Sequence, residues 1–116
     1  MEKLFDAELR LMEMIWEHEP VPAKEISVLA AEKFGWNKNT TYTVIKRLIE
    51  KEVLRRDEPG FICSSIIKKD DVQKAETKTL IEKLFGGSKK AFFAAFADEK
   101  LSLDEVEALK SLIDKG

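Results

Sequence analysis

Few side chains in this 116-residue chain are equipped for catalysis. Its one histidine, His18, stands between Glu17 and Glu19. A metal site needs convergent ligands, and a surface position at a helix end accounts for His18 better. The single cysteine, Cys63, is a candidate redox sensor, but a half-buried strand thiol is the favoured reading. The 22 carboxylates offer no acid–base pair. Most fall at helix starts or on exposed positions, where capping and surface pairing explain them. Neither G-x-x-x-x-G-K-[ST] nor G-x-G-x-x-G is present to cradle a phosphate. Phe92, Phe93 and Phe96 recur at helical spacing, which favours a packed core between two copies over a ligand pocket. The expectation is therefore no catalytic residue, no metal, no cofactor and no enzymatic activity.

Recognition of a polyanion is the chemistry the residues do favour. The net charge is −2, yet it is unevenly spread. Residues 1–32 carry a net −5, residues 33–57 a net +4 and residues 58–116 a net −1. Affinity for DNA follows such a local field rather than the overall balance. Within the basic stretch, Thr41, Val44, Ile45 and Leu48 are spaced as the inner face of a helix. Asn39, Thr43 and Lys46 then point directly outward, with Tyr42 on one flank and Thr40 and Arg47 on the other. No carboxylate joins that face before Glu50. Asn and Thr can read base edges in a major groove, while Lys38, Lys46, Arg47 and the hydroxyls can hold phosphates. The helix N-terminus also favours a nearby phosphate. Arg55 and Arg56 follow where they can grip the flanking backbone. An ordinary solvated helix face is the bland alternative, and the lack of acid argues against it.

These side chains need a scaffold, and the pattern supplies one. Asp6 reads as an N-cap, and Leu9, Met12, Ile15 and Trp16 as the stripe of a first helix ending near His18, before Pro20 and Pro22. Pro22 is placed to open a second helix with Ile26, Leu29, Ala30 and Phe34 inward, stopped by Gly35. Asn37 can cap the third. Residues 53–56 and 61–65 read as strands around an Asp57-Glu58-Pro59-Gly60 turn, a two-stranded hairpin. From Lys69 the helical pattern returns, with Thr77, Leu80, Ile81, Leu84 and Phe85 as a stripe closed by Gly86-Gly87. Residues 91–97 are apolar nearly all round and should be buried on most sides. Ser102-Leu103-Asp104-Glu105 is a capping box, followed by Leu103, Val106, Leu109, Leu112 and Ile113 on one face. Three helices and a hairpin make a winged helix-turn-helix. The last ~50 residues would form a marginal core alone, so two copies packed together are expected.

The segment 9–16, Leu-Arg-Leu-Met-Glu-Met-Ile-Trp, resembles the first helix of the penicillinase repressor family, of BlaI, MecI and CopY type. Residues 36–48, from Trp36 through the Thr40-Thr41-Tyr42-Thr43 run to Lys46-Arg47-Leu48, resemble its recognition helix. Leu84 to Ser88 and Leu101 to Val106 extend the likeness over nearly the whole chain. Glu52 departs from the glycine that usually leads into the wing. The resemblance implies a homodimer on a palindromic operator, its C-terminal helices interlocked. Family members repress β-lactamase-type, copper-handling or unrelated genes. The copper-responsive branch has a C-terminal cysteine pair, which Ser111 to Gly116 lacks. The resemblance also implies release by a membrane sensor protease. Its Asn-Phe cleavage bond aligns with Ala95-Phe96, where Ala replaces Asn.

The fold expected is mainly α with a small β-hairpin. Residues 1–67 should form a winged-helix DNA-binding domain and residues 68–116 a three-helix dimerisation domain. Leu80, Leu84, Phe92, Phe93, Phe96, Val106, Leu109 and Leu112 are the expected dimer contacts. The expected partners are duplex operator DNA, a second copy and a membrane sensor protease. With no membrane span, no signal-peptide core and one cysteine, the expected location is the cytoplasm. The alternative is a winged-helix module used only for protein–protein contacts, which would not require the basic face.

Overall fold

A computed structural model of the chain describes residues 3–95 and 102–115, without the side chains of 109 and 112–115. It comprises two compact units, Met1–Lys69 and Asp70–Gly116. The first holds α1 (Asp6–His18), β1 (Val21–Pro22), α2 (Ala23–Phe34), α3 (Lys38–Glu50), β2 (Leu54–Asp57) and β3 (Ile62–Ser65).

Helix α1 is the hub of this unit, packed against α2, α3 and β3. Its N-cap is Phe5, not Asp6, which instead lies in the first turn. There its charge suits the helix dipole. The buried residues are Leu11, Met12, Met14 and Ile15, together with Glu8, whereas Leu9 and Trp16 stay partly exposed. A helix enclosed on several sides buries a wider arc than the single stripe of residues 9, 12, 15 and 16. Trp16 keeps its polar edge occupied, its indole N–H donating to the Ile67 carbonyl at 3.2 Å. Glu8 accepts from the Phe5 amide at 2.8 Å and pairs with Lys51 Nζ at 2.7 Å. Its Oε2 is buried without a partner.

Helix α2 buries Ala23, Ile26 and Ala30, with Leu29 and Phe34 half-buried. Gly35 ends it at φ 72°, a left-handed position that glycine adopts without a Cβ clash, and its amide returns to Ala31 at 3.0 Å. Three residues later the chain is again helical. The turn of the helix-turn-helix is therefore Gly35-Trp36-Asn37. Helix α3 buries all four of its expected inward residues, Thr41, Val44, Ile45 and Leu48.

The sheet has three strands in the order β1-β3-β2, not the expected two. Val21 pairs with Cys63 and Pro22 with Ile62, both antiparallel. Proline fixes an extended φ at Pro20 and Pro22, and two residues are too few for any alternation to reveal a strand. Pro22 consequently caps α2 from outside, and the helix opens at Ala23. Glu19 clamps the far end of β3, accepting from the Ser65 amide and hydroxyl, each at 2.8 Å. Cys63 is wholly buried, not half-buried.

The second unit holds α4 (Lys69–Phe85, beginning at the last residue of the first), α5 (Lys89–Ala94) and α6 (Leu103–Lys115). Ser88 caps α5 by accepting from Ala91 N–H at 3.0 Å, and Phe85 meets Phe92 edge-on at 5.6 Å. Ser102 and Glu105 form the expected capping box at the start of α6. Of residues 91–97, expected to be buried on most sides, 96 and 97 lie outside the described residues, and 91–95 do not meet the expectation in the single chain. Phe92 is buried, but Ala91, Phe93, Ala94 and Ala95 are exposed. A six-residue helix can turn only one side to its own unit. Leu80, Leu84 and Leu103 are exposed as well, and Val106 is half-buried. Phe96, and the side chains of Leu109 and Leu112, lie outside the described residues. Among the described residues no helix is long and apolar enough to cross a membrane, and no group of His, Cys, Asp and Glu could hold a metal.

Candidate nucleic-acid interface

The inner face of α3 decides what its outer face presents. With Thr41, Val44, Ile45 and Leu48 locked into the core, Lys38, Asn39, Thr40, Thr43, Lys46 and Arg47 are all exposed. Tyr42 is half-buried on the flank nearest the wing. The N-terminal turn is fixed by Asn37, whose Oδ1 accepts from the Thr40 amide at 2.8 Å. No acidic residue lies in that turn, so its field stays positive.

Two hydroxyls are already committed. Thr41 Oγ1 donates to the Asn37 carbonyl at 3.3 Å, inside the core. Thr43 Oγ1 donates to the Asn39 carbonyl at 2.8 Å on the exposed face. Thr43 thus presents its lone pairs and its methyl outward. That combination accepts from an amino group or touches a thymine methyl, and offers a phosphate little. Lys46 and Arg47 have no such commitment among the described residues.

The wing adds two cations, Arg55 and Arg56, exposed on β2. Both are paired within the wing, Arg55 Nε with Asp57 at 3.1 Å and Arg56 Nε with Glu58 at 2.5 Å. Exposed pairs of this kind contribute little, so a phosphate can compete for either guanidinium. The hydrogen bond from Arg56, helped by the Phe61 amide, holds the Glu58 carboxyl below its ordinary pKa. Phe61, at φ 50°, closes the wing turn, and its ring lies edge-on to Tyr42 at 5.9 Å. Sequence periodicity carries no signal for that contact, because it joins residues 19 positions apart in different elements.

The expected binding residues therefore fall into two groups, one on α3 and one on β2. Lys51 and Glu8, which no motif marked, join the far end of α3 to α1.

Comparison with known proteins agrees with this geometry. The penicillinase repressor family model matches residues 4–115. A penicillinase repressor of Staphylococcus aureus is 35% identical over 111 residues, covering 93% of this chain and 88% of that protein. A penicillinase repressor of Bacillus licheniformis is 23% identical over 116 residues, covering 97% and 91%. Among solved structures, the fold is similar to the monomeric form of Bacillus licheniformis BlaI in complex with the blaP half-operator. That likeness has a TM-score of 0.55 and 29% identity, and covers 60% of this chain and 88% of that one.

Proposed function

The chain belongs to the penicillinase repressor family, and from that premise we propose that it binds operator DNA through α3 and the wing, as a homodimer on a palindromic site. The observation that carries this is the exposed face of α3, free of carboxylate from its cap to Arg47 and flanked by the arginines of β2. The similar BlaI fold, bound to a half-operator, supports the same reading. Asn39 and Thr43 read base edges. Lys38, Thr40, Tyr42, Lys46, Arg47, Arg55 and Arg56 hold phosphates.

The second unit joins two copies through Leu80, Leu84, Phe92, Phe93, Phe96, Val106, Leu109 and Leu112. Exposed Leu80, Leu84 and Phe93 support this, since a soluble single unit would cover them. Release follows either cutting at Ala95-Phe96 by a sensor protease that does not need Asn before the Phe, or a route without cleavage. Intact-mass measurement of the repressor after β-lactam treatment tests the cut, and derepression without a fragment ending at Ala95 would exclude it.

DNA binding itself is tested by fluorescence anisotropy on duplex DNA across a salt series. Lys46→Ala and Arg47→Ala should each flatten the slope of log affinity against log salt by about 1, with the fold intact. Unchanged slopes in both would show that α3 does not meet the DNA backbone.

A further inference from the structure

Four side chains form a continuous stack from the recognition helix to the wing. Lys38 Nζ lies 5.8 Å from the Tyr42 ring centre. The Tyr42 and Phe61 rings meet edge-on at 5.9 Å and 78°. The Arg56 guanidinium lies over the Phe61 ring at 3.6 Å. Phe61 is the centre of this stack, and its backbone is held as well as its ring. Its amide donates to Glu58 Oε2 at 3.2 Å, and its carbonyl accepts from the Ala23 amide at 2.9 Å. Glu58 in turn engages Arg56 Nε, so one carboxylate ties the guanidinium and the Phe61 backbone together.

The backbone of Phe61 makes the arrangement informative. Its φ of 50° is a left-handed conformation, uncommon and strained for a bulky aromatic. Gly60 precedes it, so the turn already has a glycine with φ above zero. The ring contacts, with the two backbone hydrogen bonds, are the interactions available to offset the strain at Phe61.

We propose that Phe61 is a positioning residue for DNA binding: it fixes the wing to α3 so that Arg56 and Lys38 reach one phosphate backbone as a pre-set pair. This rests on the DNA-binding reading above. In the unbound chain Arg56 already lies against the Phe61 ring on one side and pairs with Glu58 through Nε. Among the described residues its terminal nitrogens have no other partner, so that end can meet phosphate. Without the ring, Arg56 is a free surface arginine on a loosened wing, and ordering it on DNA costs side-chain entropy.

The test uses the full chain and a mixed-sequence DNA duplex, read by anisotropy over a salt series. Arg56→Ala should weaken binding roughly three- to tenfold and flatten the salt slope by about 1. Phe61→Leu, which leaves Arg56 in place, should do the same, and Arg56→Ala should then add nothing in the Phe61→Leu background. Phe61→Tyr keeps the ring and should restore wild-type affinity and slope. Additive effects of the two substitutions, or an unchanged slope in a folded Phe61→Leu protein, would overturn the proposal. Should Phe61→Leu fail to fold, the wild type decides: Arg56 side-chain protons must show an upfield ring-current shift by NMR, and random-coil positions would overturn it. A wild-type chain with no salt-dependent affinity for DNA would instead remove the DNA-binding reading itself.

Discussion

Glu52 sits at φ 60° between the end of α3 and β2, its amide returning to the Ile49 carbonyl at 3.0 Å. The family resemblance implies glycine at this position, and the left-handed backbone supplies a reason for one. Glu52→Gly should stabilise the protein by about 1 kcal/mol, because the Cβ strain it removes exceeds the extra chain entropy glycine brings. Glu52→Ala keeps the Cβ and should give no gain. Urea melts of the two variants check this, and equal stabilities would show the turn to be unstrained. Cys63 is the second residue whose surroundings decide its chemistry. Burial pushes its thiol up to about 11 from an ordinary 9.0. The folded chain therefore keeps the proton at a pH where the unfolded chain has lost it. The stability this group contributes is complete below pH 9.0 and is lost as pH climbs toward 11. Cys63→Val should flatten that alkaline decline. At neutral pH the wild-type thiol should resist iodoacetamide until the protein is unfolded. Rapid labelling of the folded chain would restore the redox-sensor reading.

Between elements, the tie that joins α3 to α1 is Glu8 to Lys51. Glu8 is 1% exposed, and Lys51 also donates to the Lys3 carbonyl at 2.8 Å and lies 4.6 Å from the Phe5 ring centre. Both ends of the tie thus gather at the C-terminus of α3 and the start of α1. Glu8→Ala leaves the Lys51 charge without its carboxylate in a mostly buried site and should destabilise the fold by about 3 kcal/mol. Replacing both with Leu should recover most of that loss, since apolar packing commonly substitutes for a buried pair. A thermal melt series decides it, and strictly additive losses would mean the two residues act independently. This tie shows where sequence reading stops. The inner face of α3 was legible because one helix face meets one core, and the strict spacing of Thr41, Val44, Ile45 and Leu48 records it. Its outward face followed by subtraction, which is why the exposed side chains of α3 were nameable. The Glu8–Lys51 pair, the β1–β3 pairing and the Tyr42–Phe61 contact were not, because each joins residues far apart in the chain. The hub position of α1 likewise shifted burial from Leu9 and Trp16 to Leu11 and Met14, since enclosure by three neighbours is a tertiary property.

At the scale of the whole molecule, the two units carry different kinds of surface. The first shows charged and amide groups along α3 and β2, with Phe5, Val28 and Ile66 as its scattered exposed apolar residues. The second exposes Leu84 by 67% and Leu103 by 78%, besides Leu80 and Phe93. Isolated exposed leucines mean little, but four large exposed apolar residues among the described ones of so small a unit are a candidate surface for a partner. If a second copy is that partner, the burden of dimerisation falls on residues 70–116, and residues 1–69 should be monomeric. Sedimentation velocity should show the full chain as a dimer at micromolar concentration and a chain ending at Lys69 as a monomer. Leu84→Asp in the full chain should shift the equilibrium toward monomer without unfolding the first unit, whose core it does not join. The consequence for DNA follows from linkage. Two winged helices held together convert the second half-site contact into an intramolecular one, which raises affinity by roughly 10²–10⁴ when the geometry spans both sites. The truncated chain should therefore bind a palindromic duplex no better per site than a half-site. If instead it keeps the full chain's affinity for the palindrome, the first units pair with each other on DNA, and the exposed leucines of the second unit serve another partner.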